Sequence, residues 1–477
     1  REYDFAASTQ WNAGWREASG NSQNLSVVAR PFRDLRSLNA QVARGSGIRR
    51  FLAEAVSGLS LTYNKADNFV AEGPAADLFL NPLPNQTGTT VDKGVWLNLF
   101  DGKLSLRYVH YVTKQLNLRN GDVSTLAQRI MRMDGLVAND RQSLMRHAKN
   151  WLGYADGETP PDDIMAAALQ MPLEQFSGLK ELVATNTYAA VNDLTARGDE
   201  VEINLNPNRY WTISASLTKN ESINTAAGSA VDDYYAARVP IWTTIEDPRF
   251  TRTTYTPVDI KSTPVDESAV GPIALTGDYS NLPVGPTGHL LYWHIVGSEF
   301  RTLVNYDSSQ SPEERFLANV DSPMSVFRAL VGRPRPQIRK YSAKFNTRYN
   351  LAGISDNKYL KNLSIGGSVR WIDKASIGFY GLGYDPAKDL TLPANKILEL
   401  DTNRPIYSPA ETFVDLFVSY KTKLFNDKVQ AKFQLNVKNA FESGGSLQAT
   451  KAFLDGRAAT YRIIDPRQFI ISASFDL

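Results

Sequence analysis

Two neighbouring segments near the end of the chain alternate between apolar and polar side chains. Residues 429–437 place apolar side chains at odd positions and polar ones at even positions. Residues 414–421 repeat the alternation, with Phe417 as the exception. Because successive side chains of a strand point to opposite faces, the pattern predicts a hairpin with one apolar and one polar face. Each arm has about 10 residues, the length that a tilted strand needs to cross a bilayer.

The same alternation recurs along the rest of the chain. It is found at 2–15, 24–32, 59–64, 95–99, 104–115, 201–205, 211–218, 340–351, 363–371 and 468–477. One such hairpin is also typical of a soluble sandwich, whose strands are half-buried. About twelve strands together predict an all-β protein.

The connections between these strands alternate between short and long. The short turns lie at 101–102, 206–209, 352–361 and 424–427, and the long loops lie near 69–90, 117–197, 223–336, 375–410 and 442–467. Helical spacing occurs within connections, at 48–56, 123–133 and 161–171. A Greek-key sandwich has no reason to place its long loops at one end. The order therefore predicts an antiparallel transmembrane β-barrel with long extracellular loops that contain short helices.

Alternate residues of each strand have opposite parity, odd or even, and point to opposite faces of the sheet. We assign the apolar parity to the lipid around such a barrel and the polar parity to its lumen. The lipid-facing candidates are Ile213, Leu217, Ile365, Val418, Phe433, Leu435, Ile471 and Phe475. The lumen-facing candidates are Arg107, Lys344, Arg348, Arg370, Lys432 and Gln434. A lumen residue either hydrates the barrel wall or contacts a passing solute, and the sequence leaves both roles open.

Composition narrows the classes of function. Lys+Arg 52 against Asp+Glu 50 gives a net charge of +2, which favours no nucleic-acid partner. Cysteine is absent, which excludes disulfides, thiolate metal sites and cysteine nucleophiles. No run approaches the roughly 18 apolar residues of a transmembrane helix. His289 and His294 are five residues apart, a poor spacing for one metal, and no phosphate-binding loop or serine elbow is present. We therefore predict no enzyme, no metal site and no cofactor.

Several short motifs resemble those of the TonB-dependent outer-membrane receptors. The segment Asn436-Val437-Lys438-Asn439-Ala440-Phe441 is similar to the family's Asn-x-x-Asn-Leu-Phe, with Ala440 where Leu is usual. Tyr461-Arg462, Pro466-Arg467 and the strand 468–477 are similar to the family's last loop and last strand, although Leu477 stands where an aromatic residue is usual. Further similarities lie at 92–94, 366–371 and 407–415.

The resemblance implies a receptor in the bacterial outer membrane, surrounded by its lipid and monomeric when full length. Such a receptor takes up a scarce solute, such as a metal–siderophore chelate, a cobalamin or a glycan, with energy from the TonB complex. The family has 22 strands and an N-terminal plug domain that contacts the energy complex. Nothing in this chain resembles the plug. Residues 1–477 are therefore expected to be the C-terminal part of the barrel, about twelve strands with open edges.

Two other readings stay open at this stage. A passive outer-membrane porin would need no plug and no energy source. A soluble β-rich binding protein would show the same alternation without any membrane. The identity of the solute is not specified by the sequence.

Overall fold

The structure is a computed structural model that describes residues 19–119, 121–137, 143–155, 158–259, 261, 272–275, 278–296, 310–385, 387, 400–425 and 428–476. Among these residues, eleven strands form one antiparallel sheet, and their order in the sheet is their order along the chain. They are β1 (Gln23–Ala29), β2 (Leu59–Val70), β3 (Gln86–Leu99), β4 (Leu104–Arg119), β5 (Val191–Asn208), β6 (Trp211–Ala227), β7 (Tyr341–Asn350), β8 (Leu363–Ile372), β9 (Glu411–Leu424), β10 (Val429–Lys438) and β11 (Gln468–Asp476). The fold is therefore mostly β, as predicted.

Each of these strands overlaps one of the predicted alternating segments, although β1 ends at Ala29 and the predicted segment ran to residue 32. The remaining predicted segment, 2–15, lies outside the described residues. In the described part of the chain, β1 and β11 each pair on one side only, so the sheet is open and not a closed barrel. The prediction of a partial antiparallel sheet is confirmed for the eleven strands that the structure describes.

The α-helices of the described residues all lie in connections. They are α1 (Arg36–Arg44), α2 (Gly47–Ser57), α3 (Gly121–Asp134), α4 (Leu144–Trp151), α5 (Asp162–Ala168), α6 (Leu173–Ala184), α7 (Ser229–Thr244), α8 (Pro312–Phe316) and α9 (Ser322–Ala329). Three two-stranded sheets also lie there, pairing Thr254–Tyr255 with Ile273–Ala274, Ala375–Gly381 with Leu400–Ser408, and Leu447–Ala452 with Ala458–Ile463. Among the described residues no helix is long and apolar enough to span a membrane.

The connections divide between the two ends of the sheet. Short turns join β3 to β4, β5 to β6, β7 to β8 and β9 to β10 at one end, which we call the turn end. The long connections lie at the other, the loop end. One connection departs from this division, because α1 and α2 lie between β1 and β2 at the turn end. The expectation that long connections occupy one end only is therefore corrected at residues 30–58.

The strands extend past the apolar band toward the loop end. Lys93, His110, Asp199 and Lys219 are partners in successive strand pairs and lie on the parity that is apolar elsewhere. Asp199 accepts one hydrogen bond from the Tyr108 hydroxyl at 2.8 Å and lies 2.9 Å from His110 Nδ1. This charged row ends the alternation, which is why the sequence predicted only 201–205 and 211–218 for the longer strands β5 and β6.

The hydrophobic core lies in the loops rather than in the sheet. We call α3–α9, together with the 3-10 turn Tyr292–His294, the loop layer. Its largest fully buried side chains include Ile130, Leu144, Phe176, Tyr234, Trp242 and Tyr292. The segment 223–336, for which the sequence predicted a long loop and no helix, contains the 16-residue helix α7, whose side chains Val231, Tyr234 and Trp242 belong to this core. The described parts of the connections 117–197 and 223–336 therefore contain helices that pack together.

Candidate functional site

Strand register places all six predicted lumen-facing residues on one face of the sheet. Arg107, Glu202, Ser216, Lys344 and Arg370 are partners in successive strand pairs and form a single row. This face also carries the other three candidates, Arg348, Lys432 and Gln434. We call it the polar face. The assignment of this face to a lumen stays a prediction.

The eight predicted lipid-facing residues lie on the opposite, apolar face. Several of their side chains are open to the surroundings, including Ile471 at 81%, Phe475 at 56% and Leu217 at 47%. Ile365 and Phe433 are also exposed, and Ile213, Val418 and Leu435 are half-buried. An apolar surface this extended is unusual on a soluble monomer.

Charge is distributed unevenly over the polar face. On β7–β11 the charged side chains of this face are Lys344, Arg348, Arg370, Lys421, Lys423, Lys432 and Lys438, against Glu411, Asp415 and Asp476. On β2–β6 the charged side chains of this face are Asp92, Arg107, Glu200 and Glu202. The C-terminal half of the face is therefore basic and the N-terminal half is weakly acidic.

Local contacts hold several of these side chains in place. Arg107 pairs with Glu202 at 3.3 Å, and both are about half exposed. The Arg370 guanidinium lies 4.7 Å from the centre of the Phe413 ring. Gln434 donates to Asn436 at 2.7 Å. Such contacts orient the groups across the face while leaving them accessible to a solute.

Two open depressions lie on the polar face. One of about 420 Å³ is lined in part by Arg348, Asp415 and Lys438. The other, of about 380 Å³, is lined in part by Asp92, Arg107 and Glu202. The first depression holds two cations and one anion beside the amides of Asn346 and Asn436, so it can accept hydrogen-bonding solutes of negative charge.

Phe417, the exception in the sequence pattern, lies on the polar face opposite Gly366. A Cβ built on Gly366 would lie 2.6 Å from the Phe417 ring and 2.2 Å from the Thr347 carbonyl oxygen. The glycine therefore leaves the space that the aromatic ring occupies. Its neighbour Gly367 lies on the apolar face, in an apolar groove of about 670 Å³.

A cluster of charges lies where the loop-end sheets approach the main sheet. The Glu411 carboxylate lies 3.9 Å from Arg339 and 3.8 Å from Arg462. Burial lowers the pKa of Arg339, and Arg462 acts in the same direction while Glu411 opposes both. Gln448 is buried beside this cluster and donates to Ser408 at 3.3 Å.

The loop layer contains a buried charge pair that the sequence analysis did not identify. Asp134 is fully buried and accepts hydrogen bonds from Tyr234 at 2.8 Å, Trp242 at 2.8 Å and Arg238 Nε at 3.0 Å. Burial raises the pKa of Tyr234 well above 10, and the Asp134 charge adds to the effect. Arg238 also donates to the Leu169 carbonyl at 2.9 Å. Each charged group is thus hydrogen-bonded, as buried charges must be.

A second buried cluster joins α4 to the segment after α7. Asp247 accepts from Arg249 at 2.6 and 2.9 Å and lies 3.5 Å from His147 Nδ1. Burial alone would raise the pKa of Asp247, but the Arg249 charge and its hydrogen bonds hold it well below the usual range. Burial lowers the pKa of His147, and Asp247 only partly opposes this shift. Both clusters have their partners within the protein and are structural.

Each of the four histidines lies beside a different acidic residue. His289 lies 3.5 Å from Glu246, and His294 lies 2.9 Å from Glu313. Within the described ranges, no group of three or more His, Asp or Glu side chains could hold a metal ion.

Comparisons with known proteins give only a distant likeness. No family model matches the sequence, and no curated protein matches it. Similar solved structures include the ferripyoverdine receptor of the outer membrane of Pseudomonas aeruginosa bound to ferripyoverdine, at 13% sequence identity over 87% of this chain and 30% of that chain, with a TM-score of 0.37. BauA, the ferric preacinetobactin receptor from Acinetobacter baumannii, is similar at 11% identity over 89% of this chain and 35% of that chain, with a TM-score of 0.38.

The ferric yersiniabactin uptake receptor FyuA from Yersinia pestis is similar at 9% identity over 87% of this chain and 34% of that chain, with a TM-score of 0.36. The chain spans about a third of the length of these proteins. At scores this low, the likeness establishes neither the family nor the ligand. The fold assignment rests on the sheet itself.

Proposed function

We propose that this chain is the C-terminal part of the barrel of an outer-membrane receptor that takes up a scarce solute. The observation that carries the proposal is the sheet. Eleven strands pair in chain order, and one face of the sheet carries exposed apolar side chains on successive strands. In lipid this face needs no further cover, whereas in water it would be a large hydrophobic surface.

The loops support a receptor rather than a simple pore. The long connections β4–β5 and β6–β7 fold into the packed loop layer. Long connections of this kind are usually functional. In the proposal they lie outside the cell and carry ligand contacts. The polar face lines the lumen, where its basic half favours an anionic solute, so a metal chelate is preferred over a neutral glycan.

Energy and gating come from outside residues 1–477 in this proposal. A plug domain would supply both the gate and the contact with the TonB complex, and the full-length receptor would be a monomer. The motifs at 436–441 and 461–467 support this part of the proposal. The chain has no proposed catalytic role.

The test is uptake by cells that lack the gene. Deletion should abolish growth on one solute class in a panel of metal chelates, cobalamin and glycans, and the complete gene should restore it. A protonophore should abolish the restored uptake. Uptake that survives the protonophore would identify a passive channel instead, and unchanged uptake of every class would refute a transport role.

Topology can be tested with single cysteines, because the chain has none of its own. Ser280→Cys lies in an exposed loop-end segment and should react with a membrane-impermeant maleimide in intact cells. Asp356→Cys lies in the exposed β7–β8 turn and should react only after the outer membrane is opened. The reverse pattern would place the loops on the periplasmic side.

A further inference from the structure

Helix α2 turns its apolar side away from the protein. Ile48, Leu52 and Val56 are spaced by four residues along one side of the helix and are 67%, 55% and 38% exposed. Ala53 and Glu54, on the opposite side, are buried. An ordinary surface helix shows the reverse arrangement, with charges outside and apolar residues inside. The outer side of α2 is therefore suited to contact something apolar.

The helix is fixed to the turn between β3 and β4. Glu54 accepts a hydrogen bond from the Asp101 backbone N–H at 2.6 Å, and Arg50 pairs with Asp101 at 3.3 Å. The Phe51 and Phe100 rings lie 6.0 Å apart. These three contacts use the polar side and one edge of α2, which leaves its apolar side outward.

The position of α2 relative to the sheet follows from burial. Leu99 belongs to the apolar parity of β3 and is 3% exposed, whereas Val95 on the same parity is 40% exposed. Leu99 is the last residue of β3, and its neighbour Asn98 donates a backbone hydrogen bond at 3.4 Å to Gly58, which directly follows α2. The helix therefore lies at the turn-end margin of the sheet, next to the strand end that carries the buried Leu99.

The same connection is rich in arginine. Residues 30–58 contain Arg30, Arg33, Arg36, Arg44, Arg49 and Arg50, against Asp34 and Glu54. All of these arginines except Arg50 are exposed. Arginine binds phosphate through paired hydrogen bonds. An apolar helix side with arginines beside it, at the margin of a lipid-facing sheet, is the pattern of a helix that lies in a membrane interface.

We propose that the α1–α2 connection is an in-plane anchor that binds phospholipid in the leaflet at the turn end. Ile48, Leu52 and Val56 insert at the boundary of the acyl chains. Arg44 and Arg49 contact the phosphates of anionic headgroups. The inference rests on the proposed function, because it requires the apolar face of the sheet to be in lipid.

The test uses single cysteines that carry an environment-sensitive fluorophore. The complete gene product, with any cysteine outside residues 1–477 replaced by Ser, is reconstituted in vesicles of phosphatidylethanolamine and phosphatidylglycerol. Leu52→Cys reports α2. Ile354→Cys is the matched control, because it is 73% exposed in another connection at the turn end. Leu435→Cys reports insertion of the sheet.

We expect headgroup-level nitroxide lipids to quench the label at 52 about threefold more than the label at 354. Equal, water-accessible labels at 52 and 354 with a lipid-quenched label at 435 would overturn the anchor and leave the barrel intact. A water-accessible label at 435 would refute the membrane sheet and the anchor with it.

The headgroup contribution is tested separately with Arg44→Gln and Arg49→Gln together. This pair should reduce quenching at 52 in vesicles that contain phosphatidylglycerol, and Arg209→Gln in the β5–β6 turn should not. Free inorganic phosphate should leave the quenching unchanged. Quenching that phosphate abolishes would mean that the arginines bind the free ion and would overturn the assignment to lipid.

Discussion

The sheet exposes its apolar and charged side chains, whereas the loop layer buries side chains of both kinds. In the sheet, apolar residues such as Leu217 and Ile471 are exposed, and charged residues lie open on the other face. In the loop layer, Trp242 and Phe176 are buried, and the charged pair Asp134–Arg238 is buried with them. The loop layer has the interior of a water-soluble domain, whereas the sheet has almost none.

In the proposed function, this difference reflects two solvents, with lipid around the sheet and water around the loop layer. A sheet whose apolar side chains face outward is stable when lipid replaces the missing core. A packed helical layer is stabilised in water by burial of its own apolar side chains. The effect of a substitution in the sheet should therefore depend on contact with lipid, and that of a substitution in the loop layer on burial. The predictions below run from the largest expected effect to the smallest.

Asp134→Ala should have the largest effect. It leaves Arg238 buried without its carboxylate, which typically costs about 3–5 kcal/mol. Denaturant unfolding followed by tryptophan fluorescence reports on the loop layer through Trp242, the indole partner of Asp134. Asp163→Ala is the control, because Asp163 is exposed in the first turn of α5. Equal losses in the two variants would contradict the role of the buried pair.

The second-largest effect is expected for an arginine substituted on the apolar face. Leu435→Arg should cost about 2–4 kcal/mol if the residue lies near the bilayer midplane, whereas Gln434→Arg, one residue away on the polar face, should cost little. Folding titrations in vesicles give the two free energies. Ile213→Arg against Ser214→Arg repeats the comparison on β6. Equal penalties on the two faces would show that both face the same solvent.

Acid should weaken the loop layer through His147. Its pKa is lowered from 6.5 by burial, so below pH 6.5 the unfolded chain binds a proton that the folded state does not. Stability therefore falls as pH decreases through this window, by up to about 1.4 kcal/mol per pH unit. The pKa of Asp247 is lowered from 3.8 in the folded state, so Asp247 stabilises the fold above pH 3.8. This contribution is lost only at more acidic pH.

The measurement is the free energy of unfolding of the loop layer between pH 7 and pH 5. His147→Asn should flatten its pH dependence. His289→Asn changes a partly exposed histidine and should leave the slope in place. A slope unchanged by His147→Asn would assign the acid sensitivity to another group.

The smallest effect is expected for the exposed pair Arg107–Glu202. Both side chains are about half exposed, so a double-mutant cycle with Arg107→Gln and Glu202→Gln should give a coupling of about 0.2–1 kcal/mol. Salt should reduce it. A coupling as large as that of the buried Asp134–Arg238 pair would mean that the polar face is not open to water.

Alternation made the sheet predictable, because strand side chains have a period of two and one apolar face. All eleven strands of the sheet overlap an alternating segment that the sequence displays, and register confirms that the two parities lie on two faces. The ends of β5 and β6 were less predictable. There, Asp199 and Lys219 occupy the apolar parity outside the apolar band.

Helical spacing at 123–133 and 161–171 indicated α3 and α5 of the loop layer, but the sequence did not show how its helices pack. Asp134 and its partners in α7 are about a hundred residues apart, and no local pattern records such a contact. Pro240 inside α7 also signals a helix break, although the helix continues past it. One signal was present: Tyr234, Arg238 and Trp242 are spaced by four residues and share one side of a helix.

The order of strands also has a consequence for how the chain assembles. Each strand of the sheet pairs with its predecessor, so the sheet can grow in the direction of synthesis. The two longest connections precede β5 and β7 and must close before these strands can pair. Closing a long flexible connection is slow, since its entropy is lost before any strand contact forms. The helices of the loop layer join both connections through α3, α7 and the segment from α8 to α9. Their early folding would bring the ends of β4, β5, β6 and β7 together and shorten the search that each strand makes for its partner.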